Sequence, residues 1–230
     1  GGAAGLIATF IKLRSENFVP KNDIIMLLTG DEETGMQSIR YFRENFDDVK
    51  KAAFALNSDG GFIAGTMESP EAFRLQSAEK VYLSYALTAE NKGGHSSIPR
   101  DDNAIYDLVD ALKRIEKYSF PISLNQTTRA TLEFALNDAT DSNANKINSI
   151  LDETGSELKL LKTDPEMNAM IRTTCVATKI KGGHAENALP VSASATVNCR
   201  ILPQSDPNKI FKKIRELAGN KVSVSPISEA

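Results

Sequence analysis

Val81-Tyr82-Leu83-Ser84-Tyr85-Ala86-Leu87 places Val81, Leu83, Tyr85 and Leu87 at every second position. Successive side chains of a strand point to opposite faces, so this spacing predicts a strand with one covered face. Downstream, Asp101 or Asp102 stands as a helix cap ahead of Ile105, Leu108, Val109, Leu112 and Ile115, which form one apolar stripe at helical spacing. Thr173 to Ile180 and Ala193 to Ile201 read as strands. Asp206-Pro207 opens a second helix in a cap and first-turn arrangement, with Ile210, Phe211, Ile214 and Leu217 inward and Gly219 as stop. Lys221 to Pro226 offers a last strand. The order β-α-β-β-α-β is that of a ferredoxin-like sandwich. A polar stretch at about 118–170 interrupts it and is expected to be helical and partly irregular.

Upstream the texture differs. Gly1-Gly2-Ala3-Ala4-Gly5 runs into Leu6, Ile7, Phe10, Ile11 and Leu13, a helical pattern with small residues where its start approaches a neighbour. Asp23-Ile24-Ile25-Met26-Leu27-Leu28 is a short apolar run of the kind buried on both faces of a sheet, ending at Thr29-Gly30. Ile39, Phe42 and Phe46 suggest a helix, and Ala52-Ala53-Phe54-Ala55-Leu56 a second buried strand ending at Asn57-Ser58-Asp59-Gly60-Gly61. Strand-helix-strand implies parallel strands and an α/β architecture. Residues 1–79 are therefore expected as one α/β domain and residues 80–230 as another, the latter carrying the polar insert.

At 230 residues the chain is long enough to bury a core in one large domain or two smaller ones. A net charge of -3 gives no electrostatic reason to bind nucleic acid. No apolar stretch approaches the about 20 residues of a membrane span. Gly1 to Phe10 lack the basic start and cleavage site of a signal peptide, but an upstream segment could carry one, so the compartment stays open. Cys175 and Cys199 are too few for a disulfide scaffold and wrongly spaced for a zinc knuckle, and both read as buried strand residues. His95 and His184 are the only histidines, so a zinc site here would lean on carboxylates or on ligands outside the chain.

Asp31, Glu32 and Glu33 follow the first expected strand between Gly30 and Gly35. Crowded carboxylates repel, and something positive usually offsets this. Asp59 stands one strand-helix-strand step later, on the rim where open α/β sheets bind ligands. Converging carboxylates suit a divalent metal, since ionised oxygens both coordinate and neutralise it. Adjacent residues of an extended segment point opposite ways, so one of Glu32 and Glu33 can bind metal while the other faces a reacting water. A bare Asp-Glu-Glu is ordinarily a solvated acidic turn.

The wider pattern reverses that reading. Thr29-Gly30-Asp31-Glu32-Glu33-Thr34-Gly35, followed by Asn57-Ser58-Asp59-Gly60, resembles the co-catalytic zinc amidohydrolases that include acetylornithine deacetylase, succinyl-diaminopimelate desuccinylase, aminoacylase and the glutamate-releasing carboxypeptidases. The resemblance spans almost the whole chain. It implies that residues 1–79 are the N-terminal part of a zinc-peptidase-like catalytic domain and residues 80–230 an inserted ferredoxin-like lid and dimerisation domain. Glu32 then corresponds to the general base, Glu33 to a ligand of one metal and Asp59 to a ligand of the other, with two zinc ions, or cobalt or manganese in their place, as cofactors. The family places a His-x-Asp and a bridging Asp ahead of a Gly-Gly-x-Ala helix start like Gly1-Gly2-Ala3-Ala4, and a last histidine ligand after the lid. The sequence is accordingly expected to be a piece of a longer enzyme, unable to hold the two-zinc centre by itself and inactive alone. The long insert resembles the carboxypeptidase S and N-acyl amino acid amidohydrolase branch.

Gly93-Gly94-His95-Ser96-Ser97 matches the family's lid motif, whose histidine reaches the partner subunit's active site and donates a hydrogen bond to the oxyanion. His95 inherits that role by resemblance, where a lone histidine in a glycine turn would ordinarily be idle. Asn187 in Glu186-Asn187-Ala188-Leu189-Pro190 and Arg200 in Asn198-Cys199-Arg200-Ile201-Leu202-Pro203 match two substrate-holding positions. The Arg200 fork suits the free carboxylate of an N-acyl amino acid or peptide, with Asn187 assisting. Without the motif Arg200 would read as a surface ion-pair residue, and His184, which has no family role, as structural. The implied activity is metal-dependent hydrolysis of an amide in an N-acyl amino acid or small peptide, in a homodimer formed through the lid. A non-catalytic dimerisation or binding fragment is the rival reading. Magnesium-dependent phosphoryl transfer ranks last, because there is no Gly-x-x-x-x-Gly-Lys-Ser/Thr loop.

Overall fold

Two units make up the chain, Gly1–Gln76 and Ser77–Ala230, in a computed structural model that describes residues 1–66, 68–152 and 164–227. The first unit contains helix α1 (Gly2–Ser15), a 3-10 turn over Glu32–Thr34, helices α2 (Gln37–Asn45) and α3 (Asp47–Lys50), and an antiparallel hairpin of β1 (Phe62–Gly65) and β2 (Pro70–Arg74). The glycine at the head of α1 has a reason: a side chain at Gly2 would run into the Ser58 hydroxyl. Tyr41, Phe42 and Phe46 cluster at the end of α2, with ring centroids 5.2–6.2 Å apart. This unit departs from expectation at residues 23–28 and 52–56, which are not strands. A buried strand exists by pairing its N–H and C=O groups with neighbours on each side. Among the described residues no segment pairs with either run, and Ile24, Ile25, Leu28, Phe54 and Leu56 are exposed.

The second unit holds β3 (Val81–Glu90), the short β4 (Gly94–His95), α4 (Ala104–Lys117), the insert helices α5 (Gln126–Ala135), α6 (Asp141–Leu151) and α7 (Pro165–Ile171), then β5 (Thr174–Gly182), the short β6 (Ala188–Leu189), β7 (Ser192–Ile201), α8 (Pro207–Ala218) and β8 (Val222–Pro226). Strands order as β5-β7-β3-β8, every neighbour antiparallel. With the short pair and the insert set aside, this is the β-α-β-β-α-β ferredoxin-like arrangement. Leu83, Tyr85, Leu87 and Ala89 of β3 and Ala193, Ala195, Val197, Cys199 and Ile201 of β7 face one core, closed by α4 and α8.

Local details refine the helices. The cap of α4 is Asn103, whose Oδ1 accepts from the Ile105 N–H at 2.9 Å. The expected cap Asp102 is otherwise engaged, by the Arg100 guanidinium and the Asn91 amide. The stripe of α4 is accordingly centred on Ala104, Leu108, Ala111 and Ile115, with Val109 exposed at its margin. Helix α8 starts as read, Asp206 accepting from the Asn208 N–H at 2.9 Å and Pro207 in the first turn, and stops at Gly219. Cys175 and Cys199 are strand residues in directly opposed positions of β5 and β7, and they are disulfide-bonded. Their spacing in sequence carries no trace of that register.

Within the insert, Leu132, Ile147, Ile150 and Ile171 form a second, smaller core. Helix α5 opens on a reciprocal capping box between Asn125 and Thr128. Residues 153–163 of the expected helical stretch lie outside the described residues. No helix of the described residues is long and apolar enough to cross a membrane.

The alternation of β3 makes Leu87 the test of this core, because it is fully buried in the cluster to which α4 and α8 contribute. Leu87→Ala should lower unfolding stability by about 2–5 kcal/mol, whereas Phe73→Ala on exposed β2 should move it by less than about 0.5 kcal/mol. Denaturant titration of the two variants checks the contrast.

Candidate active site

The three consecutive acids do different things. The Asp31 carboxylate accepts from the Gln37 N–H at 2.6 Å, from the Ser38 N–H at 3.2 Å and from the Ser38 hydroxyl. These are donors of the first turn of α2 that no helical carbonyl can serve. The chain folds back far enough because Gly35 and Met36 both adopt positive φ, 131° and 55°. The Ser38 hydroxyl foremost, and then the two backbone donors, hold the Asp31 carboxyl below its ordinary value. Asp31 is thus an ionised cap whose oxygens are already engaged.

Glu32 and Glu33 are left free. They begin the 3-10 turn rather than an extended segment, because the Thr34 N–H returns to the Asp31 carbonyl at 3.1 Å. With about three residues per turn their side chains diverge by roughly 120°. Both are exposed, and among the described residues neither carboxylate accepts a hydrogen bond. Asp59 sits in the loop after residue 56, its own N–H donating to Asn57 Oδ1 at 3.0 Å and its carboxylate likewise free. Uncommitted carboxylate oxygens on Glu33 and Asp59 are donors of the type a divalent cation takes. Among the described residues, no group of three or more His, Cys, Asp or Glu side chains is gathered to hold an ion.

In the second unit, β4 and β6 pair so that His95 stands opposite Ala188 and Gly94 opposite Leu189. The Ser96 N–H donates to the Asn187 carbonyl at 3.0 Å, which brings the histidine and asparagine motifs side by side. Gly93, at φ 71°, allows this approach: a Cβ there would stand 2.8 Å from Val191 Cγ1. The Ser97 N–H points at His95 Nδ1 from 3.2 Å, and the Ser97 hydroxyl lies 2.8 Å from the same atom. A backbone N–H can only donate, so Nδ1 carries the lone pair and the neutral ring keeps its proton on Nε2. His95 is exposed, and that Nε2–H is its remaining ring donor. His184, read as structural, lies exposed in the loop between β5 and β6.

Arg200 occupies the other end of the sheet, between Tyr82 of β3 and Thr174 of β5. Its guanidinium lies over the Tyr82 ring, 4.6 Å from the centroid. From Ser192 to Arg200 strand β7 rises roughly 26 Å, so the structure brings His95 and Asn187 together within one lid and sets Arg200 apart from them. Beside Arg200 is a cation that sequence reasoning missed. Lys80 donates to the Arg172 carbonyl at 2.6 Å, and burial, then the Arg200 charge, pushes its pKa down to about 8. The only signal for it in the sequence is a lysine immediately ahead of a strand.

Residues 77–224, well over half of the chain, match the peptidase dimerisation domain of the M20 peptidases. The chain is 26% identical to a probable carboxypeptidase S-like 2 of Dictyostelium discoideum, over 99% of its own length and 45% of that protein. It is 28% identical to the N-fatty-acyl-amino acid synthase/hydrolase PM20D1 of Homo sapiens (92% and 43%) and 29% identical to a probable succinyl-diaminopimelate desuccinylase of Staphylococcus aureus (97% and 49%). It therefore spans less than half the length of each of these relatives. The aminopeptidase PepT structure from Bacillus cereus superposes with a TM-score of 0.51 at 17% identity, covering 97% of this chain and 47% of that one, a likeness of fold. Together with the ferredoxin-like topology of residues 81–226, the match over residues 77–224 establishes that this chain belongs to the M20 peptidase family.

Proposed function

We propose that the chain is part of an enzyme that hydrolyses the amide bond of an N-acyl amino acid or small peptide bearing a free carboxylate. The observation that carries this reading is the division of labour among the three acids. Asp31 is consumed as the cap of α2, and Glu32 and Glu33 project from the same turn with unengaged carboxylates. Family membership and the named relatives, which include an N-fatty-acyl-amino acid synthase/hydrolase and a probable succinyl-diaminopimelate desuccinylase, support the same reaction class. Glu33 and Asp59 would hold divalent cations, which when bound supply Lewis acidity and a more acidic water. Glu32 takes the proton of the attacking water and returns it to the departing amine. His95, with Nδ1 held by Ser97, presents Nε2–H to negative charge developing on the former carbonyl oxygen. Arg200 holds the substrate carboxylate in its planar fork.

A homodimer follows naturally from this assignment. A substrate of amino-acid size cannot span the roughly 26 Å of β7 from Arg200 to Ser192, the strand end next to the turn that carries His95. Each lid would offer its Arg200 to one substrate and its His95 and Asn187 to another, as expected if two copies complete each other's sites. The dimerisation-domain match supports that arrangement.

Two experiments on the complete enzyme test the roles. Glu32→Gln should leave bound metal near normal and lower kcat by orders of magnitude, because a base is lost and a ligand is not. Glu33→Gln should instead deplete metal. Normal turnover by metal-loaded Glu32→Gln would sink the base assignment. Separately, Arg200→Ala should raise KM for a free-carboxylate substrate by about 1.5–3 kcal/mol in binding terms while sparing the corresponding amide. Equal effects on both substrates would remove Arg200 from the carboxylate site.

A further inference from the structure

Lys80, Arg172 and Arg200 gather at the Tyr82 end of the lid sheet. Arg200 pairs across β7 with Tyr82 on one side and Thr174 on the other. Lys80 and Arg172 each lie two residues ahead of one of those partners, so they flank the same strand end, and Lys80 Nζ bridges the gap to the Arg172 carbonyl at 2.6 Å. Arg172 is only 7% exposed. Its Nη1 donates to the Phe120 carbonyl at 3.2 Å, while Nε and Nη2 are buried with no hydrogen-bond partner. Among the described residues none of the three cations forms an ion pair with a carboxylate.

Three positive groups that have no counter-charge among the described residues, one of them buried, are unfavourable as a purely structural device. Each would be relieved by an anion. We infer that Lys80, Arg172 and Arg200 form a single oxyanion subsite for a carboxylate, in which Lys80 shares the anion with Arg200 and Arg172 acts as a positioning residue. Lys80 keeps two N–H donors after its bond to the Arg172 carbonyl, enough to meet one carboxylate oxygen while the Arg200 fork meets the other. Arg172 contributes positive charge from within the lid and, through its carbonyl, fixes where the Lys80 ammonium stands. The depressed Lys80 pKa accords with this, since burial first and then the Arg200 charge lower it. This inference rests on the reading of Arg200 as the holder of the substrate carboxylate and adds Lys80 to that site.

The test is calorimetric binding of N-acetylglycine and N-acetylglycinamide to the full-length protein in a Glu32→Gln background, which prevents turnover. Lys80→Met should weaken N-acetylglycine by about tenfold or more and leave the amide unchanged, and Lys80→Arg should restore most of the preference. An unchanged preference in Lys80→Met with a collapsed one in Arg200→Ala would overturn this inference and leave the proposed function standing. Collapse in Lys80→Met alone would remove Arg200 from the carboxylate site and so overturn both the shared subsite and the role proposed for Arg200. Unchanged preference in both would overturn both. Should Lys80→Met fail to fold, the Lys80 Nζ resonance of the isotope-labelled, otherwise unmutated protein decides: its titration midpoint should rise from about 8 with N-acetylglycine and not with the amide. A midpoint indifferent to N-acetylglycine would also overturn the inference.

Discussion

The antiparallel pairing of β3 with β7 runs unbroken from Val81 opposite Ile201 to Glu90 opposite Ser192, and the geometry of the lid hangs on it. Since side chains alternate along both strands, one register decides every face at once, and a slip of a single residue would turn Leu83, Tyr85 and Leu87 out of the core and Tyr82 and Ser84 into it. The same register carries the candidate site residues. It fixes Arg200 beside Tyr82 on the outer face. At the opposite end, where β7 begins, it leaves room for the β4–β6 pair that sets His95 beside the Asn187 segment. The separation of these two groups is therefore a property of the sheet itself, and it is what motivates the proposal that two lids complete each site.

How much of this could be read from residues alone depends on whether the deciding contact is local. Strand β3, helix α8 with its Asp206 cap and the Gly219 stop are legible because alternation, capping and chain reversal are governed by neighbours in sequence. The stretches at 23–28 and 52–56 are not, because a buried parallel strand is defined by partners far along the chain, and the described residues supply none. The cap of α4 fails for a subtler reason. Asp102 and Asn103 are both good caps, and the choice between them is made by Arg100 and Asn91, which claim the Asp102 carboxylate. The Cys175–Cys199 bond and the cation group at the end of β7 likewise depend on cross-strand register, which no spacing reveals.

The candidate site shows the same division. Resemblance singles out Glu32, Glu33, Asp59, His95, Asn187 and Arg200 as candidates, yet the reason Asp31 differs from its neighbours lies in three-dimensional geometry. Only a carboxylate that can fold back through Gly35 and Met36 reaches the unpaired donors of α2. Sequence distinguishes an acid from a neutral residue. It does not say which acid has spent its lone pairs, and that is what separates a structural acid from one free to bind a metal or accept a proton.

The cations at the Tyr82 end raise the complementary question of why a fold would tolerate them. A buried guanidinium that lacks a counter-charge loses hydration and regains only part of it through one carbonyl, at a cost typically of several kcal/mol. The sheet beneath it is well able to absorb that, since Val197, Cys199 and Ile201 are buried against α4 and α8 and do not depend on the charges above. Local rules are expected to be broken where function requires it and where the surrounding structure is stable enough to hold the strain. A salt bridge at this position would satisfy Arg172 and Lys80 permanently, and it would also neutralise the field at Arg200. If the three cations form the carboxylate subsite inferred above, leaving their charge uncompensated would keep it receptive to an anion that arrives with the substrate. On that view the unsatisfied Arg172 nitrogens are a consequence of binding chemistry imposed on a core that β3 and β7 have already secured.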